Sequence, residues 1–178
     1  KLETVIISPN NRFFKYADEN HKVIIGKSDK NNDIFDVIVF ACRDIRRVTI
    51  PDYIVHIASH AFEYCRFLHE FDISPNNQLR TIGNSSFSCT SLETFTIPKN
   101  VEKVGIATFK FCSKLERFMI ESGSKLLSIS NGMFGVCRVL EEIIIHDNCQ
   151  LRSIGSGSIA FTSICQLSIP QSVETLEV

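Results

Sequence analysis

One spacing recurs seven times along the chain: an apolar residue, a second three positions on, and a third two beyond that. The trios are Leu2, Val5, Ile7; Ile45, Val48, Ile50; Leu68, Phe71, Ile73; Leu92, Phe95, Ile97; Leu115, Phe118, Ile120; Leu140, Ile143, Ile145; and Ile164, Leu167, Ile169. A helix would continue at three and four, and a plain strand would alternate by two, so neither template fits the whole trio. A corner followed by a short strand does fit. In residues 92–97, Leu92 packs at the corner, Phe95 and Ile97 point inward, and Thr94 and Thr96 point outward. From the second trio onward the last member returns every 23 to 25 residues. That period marks a solenoid, because one such coil cannot bury its apolar face alone and stacked neighbours must supply the core.

A second motif keeps step between the trios: "IASHAFEYC" at 57–65, "IGNSSFSC" at 82–89, "VGIATFKFC" at 104–112 and "ISNGMFGVC" at 129–137. Each places an aliphatic residue first, then a Phe, then a Cys, read here as inward positions on a short turn of helix. Cys42, Cys65, Cys89, Cys112 and Cys137 thereby form one column a coil apart. Strands about 4.8 Å apart would permit disulfides. Phe161, read as standing in the same column, favours apolar volume over sulfur, so these five are expected as buried free thiols. Cys149 and Cys165 fall off the column, and Cys149 in "HDNCQL" reads as a turn residue open to solvent. Pro51, Pro75, Pro98 and Pro170 follow the strands and end their pairing.

The coil "IPKNVEKVGIATFKFCSKLERFMI", residues 97–120, resembles the BspA-like type of leucine-rich repeat, whose unit runs strand, Pro, Val, Ile-Gly, Ala-Phe, Cys, Leu. The resemblance covers residues 40–178. It implies a right-handed leucine-rich-repeat coil of the α/β solenoid class, with a concave parallel sheet and short helical or irregular convex segments. Residues 8–39 hold about 20 more residues than the equivalent step of later coils. There "RFFKY", "KVII" and "IFDVIVF" read as a β-hairpin plus a strand, an N-terminal insertion beside the regular repeats of 40–178. The whole, 1–178, reads as a single repeat domain cut from a longer protein, whose open ends would favour end-to-end or edge association of solenoids.

The resemblance also implies a surface or secreted protein of the adhesin or antigen type, contacting host or microbial ligands. Unpaired thiols suit a reducing compartment and support an intracellular protein-interaction scaffold as the alternative. The net charge is −1 and the charges are interspersed, which excludes a basic face for nucleic acid. The longest apolar runs, such as "VIVFAC", are too short to insert in a membrane. No Gly-rich phosphate loop, nucleophile elbow or HExxH occurs, so no catalytic residue and no cofactor is assigned. His146 with Cys149 lacks further ligands, and His56, His60, Cys65 and His69 belong to different parts of the coil, so no metal is assigned.

Binding of a protein or glycan ligand is assigned to the outward strand columns: Thr4, Arg47, Glu70, Thr94, Arg117, Glu142, Gln166, and Ile6, Thr49, Asp72, Thr96, Met119, Ile144, Ser168. Arg47, Glu70, Asp72, Thr94, Thr96, Arg117, Met119, Glu142 and Ile144 are the candidate site residues. Arg47 with Glu70, and Arg117 with Glu142, are placed to pair across neighbouring coils. Met119 beside Ile144, rimmed by that second pair, has the form of an apolar contact centre. Asn84 opens an N-glycosylation acceptor, "NSS".

Overall fold

The computed structural model describes residues 2–177. Five of the seven trios form four-residue strands: β4 (Arg47–Ile50), β6 (Glu70–Ile73), β8 (Thr94–Ile97), β10 (Arg117–Ile120) and β12 (Glu142–Ile145). They pair in parallel and in the register of the repeat, with Val48 opposite Phe71 and Phe95 opposite Phe118 opposite Ile143. The first trio forms no strand, and Ile6 is 89% exposed; the last, Ile164 to Ile169, forms none either.

A second set of strands, mostly of two residues, lines another side of each coil. β5 (His56–Ile57), β7 (Thr81–Ile82) and β9 (Lys103–Val104) continue from β3 (Val37–Ala41). β11 (Ser128–Ile129), β13 (Ser153–Ile154) and β14 (Thr175–Leu176) form a separate group. Glycine follows the inward residue at Gly83, Gly105 and Gly155, where a Cβ would collide with Ser59, Asn84 and Asn131 of the preceding coil. The Ile-Gly signature is therefore a close approach between coils.

The N-terminal insertion adds β1 (Phe14–Tyr16) antiparallel to β2 (Val23–Gly26), which is itself antiparallel to β3. These strands extend the short-strand sheet beyond β5 and cover its first edge, the usual remedy for an exposed row of backbone groups.

The third side corrects the expectation of helix: among the described residues the segments carrying Phe and Cys contain only turns. Each has two left-handed residues four apart: His60 and Tyr64, Ser85 and Cys89, Ala107 and Phe111, Gly132 and Val136, Gly157 and Phe161. A left-handed residue breaks a right-handed helix at once. In its place, amides reach forward to the next coil, as from Phe62 to Ser86, Phe87 to Thr108 and Phe109 to Met133, at 2.8–2.9 Å. At the start of this stack Arg43 donates to the carbonyls of Ala41 and Ala61, at 2.8 and 3.1 Å. Its guanidinium joins the Ala41 amide, which reaches the Ala61 carbonyl at 2.9 Å, where no earlier turn exists.

The core lies between the three sides. Phe62, Phe87, Phe109 and Phe134 stack coil on coil at 5.2, 5.4 and 6.0 Å between centroids. Phe71, Phe95 and Phe118 of the long strands lean into them, with Phe118 and Phe134 edge-on at 4.6 Å. A fully buried ring of this kind accounts for about 3–5 kcal/mol when removed.

Candidate functional site

The outward face of the long strands carries all nine candidate residues. Arg47 pairs with Glu70 at 3.0 Å and Arg117 with Glu142 at 3.1 Å, each across one inter-coil step. These pairs are exposed, so each contributes at most about 1 kcal/mol. Thr49 reaches Asp72 at 3.5 Å. Met119 and Ile144 are direct partners in the β10–β12 register and are half-buried, flanked by the Arg117–Glu142 pair. Thr94 and Thr96 stand beside them on β8. The face is thus brought together as three strands, β8, β10 and β12, holding Thr94, Thr96, Arg117, Met119, Glu142 and Ile144. Arg47, Glu70, Asp72 lie on a separate pair, β4 and β6.

The division has a local cause. In three coils the corner follows the column donor by a step of three: Cys65 to Leu68, Cys112 to Leu115, Cys137 to Leu140. Thr90 to Leu92 and Thr162 to Ile164 are one residue shorter. In the short corners the amide of Ser91 goes to Leu68 and that of Ser163 to Leu140, while their hydroxyls take the carbonyls of Arg66 and Arg138 at 2.7 and 2.6 Å. After the first, β8 does not pair with β6; after the second, residues 164–169 form no strand. A cleft lined by Phe71, Asp72, Thr94 and Thr96 opens between β6 and β8. A larger one, about 1060 Å³, opens between β12 and residues 162–168, lined by Glu141, Glu142, Ile144, Cys165 and Gln166.

The same register shift corrects the cysteine column. Its members are Cys65, Thr90, Cys112, Cys137 and Thr162, each three residues after Phe or, in the last case, Ile159. Cys89 and Phe161 sit one step earlier, at left-handed positions, Cys89 half-buried and Phe161 exposed. The column asks for a short donor rather than apolar volume. Cys112 donates to the carbonyl of Phe87 at 3.1 Å and Cys137 to that of Phe109 at 2.9 Å. Thr90 and Thr162 donate to Phe87 and Ile159 of their own coils, at 2.9 and 2.8 Å. All seven cysteines are free thiols. Burial pushes the Cys42 and Cys65 thiols up, and the hydrogen bond with Cys112, then burial, pushes up Cys137.

Cys149 is buried, contrary to the reading of an open turn. It holds the place of Asn77 and Ser124, two residues before Leu79, Leu126 and Leu151. At the first two coils the side chain caps the leucine amide, at 3.1 and 3.2 Å. His146 is exposed. His56 contacts Thr81 at 2.7 Å, His60 contacts Glu63 at 2.9 Å and His69 lies on the long-strand side, three different surroundings. No three His, Cys, Asp or Glu residues among the described ones are grouped to hold a metal. Asn84 is exposed, but its carboxamide oxygen accepts from Ile106 at 2.9 Å, and Ser86 of the same acceptor motif is fully buried. No helix is long and apolar enough to cross a membrane among the described residues.

A leucine-rich repeat protein from Eubacterium ventriosum superposes on 98% of the chain with a TM-score of 0.71 at 20% identity. The leucine-rich repeat protein of T. pallidum covers 88% of the chain and 89% of its own length, with a TM-score of 0.55 at 20% identity. The pneumococcal vaccine antigen PcpA covers 82% with a TM-score of 0.53 at 19% identity. The chain spans 50% of the Eubacterium protein and 45% of PcpA. These likenesses concern the fold. Among curated proteins none matches the sequence. The sequence model of the BspA type leucine-rich repeat region matches residues 6–127 and 73–178, in six copies of the repeat. The chain, with its stacked coils and its Phe rows, belongs to the BspA type leucine-rich repeat family.

Proposed function

We propose that the chain is a non-catalytic binding module of a surface or secreted adhesin or antigen, and that the outward face of β8, β10 and β12 contacts the ligand, a protein or a glycan. The observation that carries this reading is the apolar pair Met119 and Ile144, held side by side by strand register inside a rim of Thr94, Thr96, Arg117 and Glu142. Rigid coils preset these positions, so binding orders few side chains and a small apolar anchor suffices. Arg47, Glu70 and Asp72 extend the face on β4 and β6. The naming of one structural neighbour as a vaccine antigen supports exposure on a cell surface.

Antibody staining of intact and permeabilised cells expressing the full-length protein tests the location. Staining of intact cells is expected. Staining confined to permeabilised cells would turn the reading to an intracellular scaffold, which the seven free thiols favour because reducing compartments preserve them. Once a ligand is in hand, Met119→Ala with Ile144→Ala is expected to weaken binding at least about tenfold, or 1.4 kcal/mol; undiminished binding rejects this face.

A further inference from the structure

Five left-handed positions of the turn stack carry bulky side chains outside the core. Tyr64, Cys89, Phe111, Val136 and Phe161 have φ between 59° and 65°. Glycine adopts that conformation freely, whereas bulky and β-branched residues do so under strain. Burial does not compensate: Phe161 is 76%, Tyr64 51% and Phe111 47% exposed, and Cys89 and Val136 are only half-buried. Inter-coil amide bonds hold this backbone and ask nothing of the side chains, so a row of exposed rings here points to a task at the surface.

The five residues lie in line. The amide of Tyr64 donates to Ser88, that of Cys89 to Lys110, that of Phe111 to Gly135 and that of Val136 to Ala160, at 2.9–3.0 Å. Coils pinned by such a ladder advance about 4.8 Å each, so the rings of Tyr64, Phe111 and Phe161, on every second coil, recur about every 10 Å. Cations accompany them. The Arg66 guanidinium lies over the Tyr64 ring, 5.8 Å from its centre, and the Lys110 ammonium over that of Phe111 at 5.1 Å. Arg138 follows Val136 by two residues. The one carboxylate within two residues of the five positions, Glu63, is engaged by His60 at 2.9 Å.

We propose that this stripe binds an extended acidic polysaccharide built of disaccharide repeats, separately from the long-strand face. The ring spacing fits the advance of a disaccharide along an extended chain, so alternate sugars take the ring faces of Tyr64, Phe111 and Phe161, at the first two displacing Arg66 and Lys110 toward the carboxylates. The electron-rich face of an aromatic ring attracts the C–H groups of a sugar. Arg66, Lys110 and Arg138 meet the carboxylates through charge-assisted hydrogen bonds. A neutral glycan would offer these cations no carboxylate. An acidic peptide offers no saturated ring at this period.

Calorimetric titration with a hyaluronan decasaccharide, beside neutral cellohexaose and poly-glutamate, tests the proposal. Binding of the decasaccharide that weakens with salt is expected, with the other two bound more weakly. The variants Phe111→Gly and Phe161→Gly suit the left-handed backbone, so their unfolding midpoints should equal or exceed the parent's while affinity falls about tenfold or more. Met119→Ala with Ile144→Ala should leave this binding unchanged. No binding of the decasaccharide, full binding by both glycine variants, or preference for cellohexaose or poly-glutamate would overturn the proposal.

Discussion

The turn stack and the long-strand sheet are built from the same coils, yet one is continuous and the other is cut. Amides of the turns reach forward without a break from His60 to Val136, whereas the strands separate between β6 and β8 and again after β12. The coils that cut the sheet, those of Thr90 and Thr162, lack one corner residue, and in both a serine bonds carbonyls at the preceding corner, Arg66 and Leu68 or Arg138 and Leu140. Their turns keep full register. A side that bonds through three alternate turn amides per coil thus tolerates a change in corner length that a following strand does not. The short-strand sheet changes partners at a different step, between β9 and β11, so no single plane divides the molecule.

Replacing Phe109 should have the largest effect, because its ring touches Phe87 and Phe134 of the turn stack and Phe95 and Phe118 of the sheet. Phe109→Ala is expected to cost about 3–5 kcal/mol in denaturant unfolding. A loss under about 1 kcal/mol would show that the two sides are held independently. Inserting one residue between Ser91 and Leu92 sharpens the contrast from the other direction. It should let β8 pair with β6 and slow amide exchange at 94–97 by about tenfold, the equivalent of roughly one hydrogen bond. Unchanged exchange would mean that corner length is not what separates the strands.

A smaller effect separates donor from volume in the cysteine column. Cys137→Thr should retain near-parental stability, as Thr90 and Thr162 do in their coils, while Cys137→Val should lose about 0.5–1.5 kcal/mol with its donor to Phe109. Equal stability of the two variants would restore the apolar-volume account. The least effect is expected from pH. Cys65 has a folded-state pKa raised by burial above its ordinary value of 9.0. The unfolded chain therefore ionises first, and stability, fully present below about pH 9, should fall as pH rises beyond it. Cys65→Thr should reduce that fall; an identical pH profile would assign it to other groups.

Much of the architecture is legible in the trios. Inward and outward alternation, the register of Phe95 with Phe118, and the pairs Arg47–Glu70 and Arg117–Glu142 follow from a fixed period once coils stack. The column of donors is legible in the constant step of three from Phe to Cys or Thr, although Cys89 offers a competing cysteine one residue earlier. Burial of Cys149 is marked only by its distance of two from Leu151, shared with Asn77 and Ser124.

The turns were not legible. An aliphatic residue with Phe five positions on suits a helical turn as well as two left-handed bends, and Tyr64, Phe111 and Val136 are poor local signals for positive φ. Their conformation is decided by amides of one coil meeting carbonyls of the next, a partner many residues away in sequence. The chain by itself determines the period, the inward columns and the register, because each is a property of spacing. Which trios pair, where the sheet opens and which side chains the turns leave exposed are decided only when coils stack, because those outcomes depend on hydrogen bonds that no single coil contains.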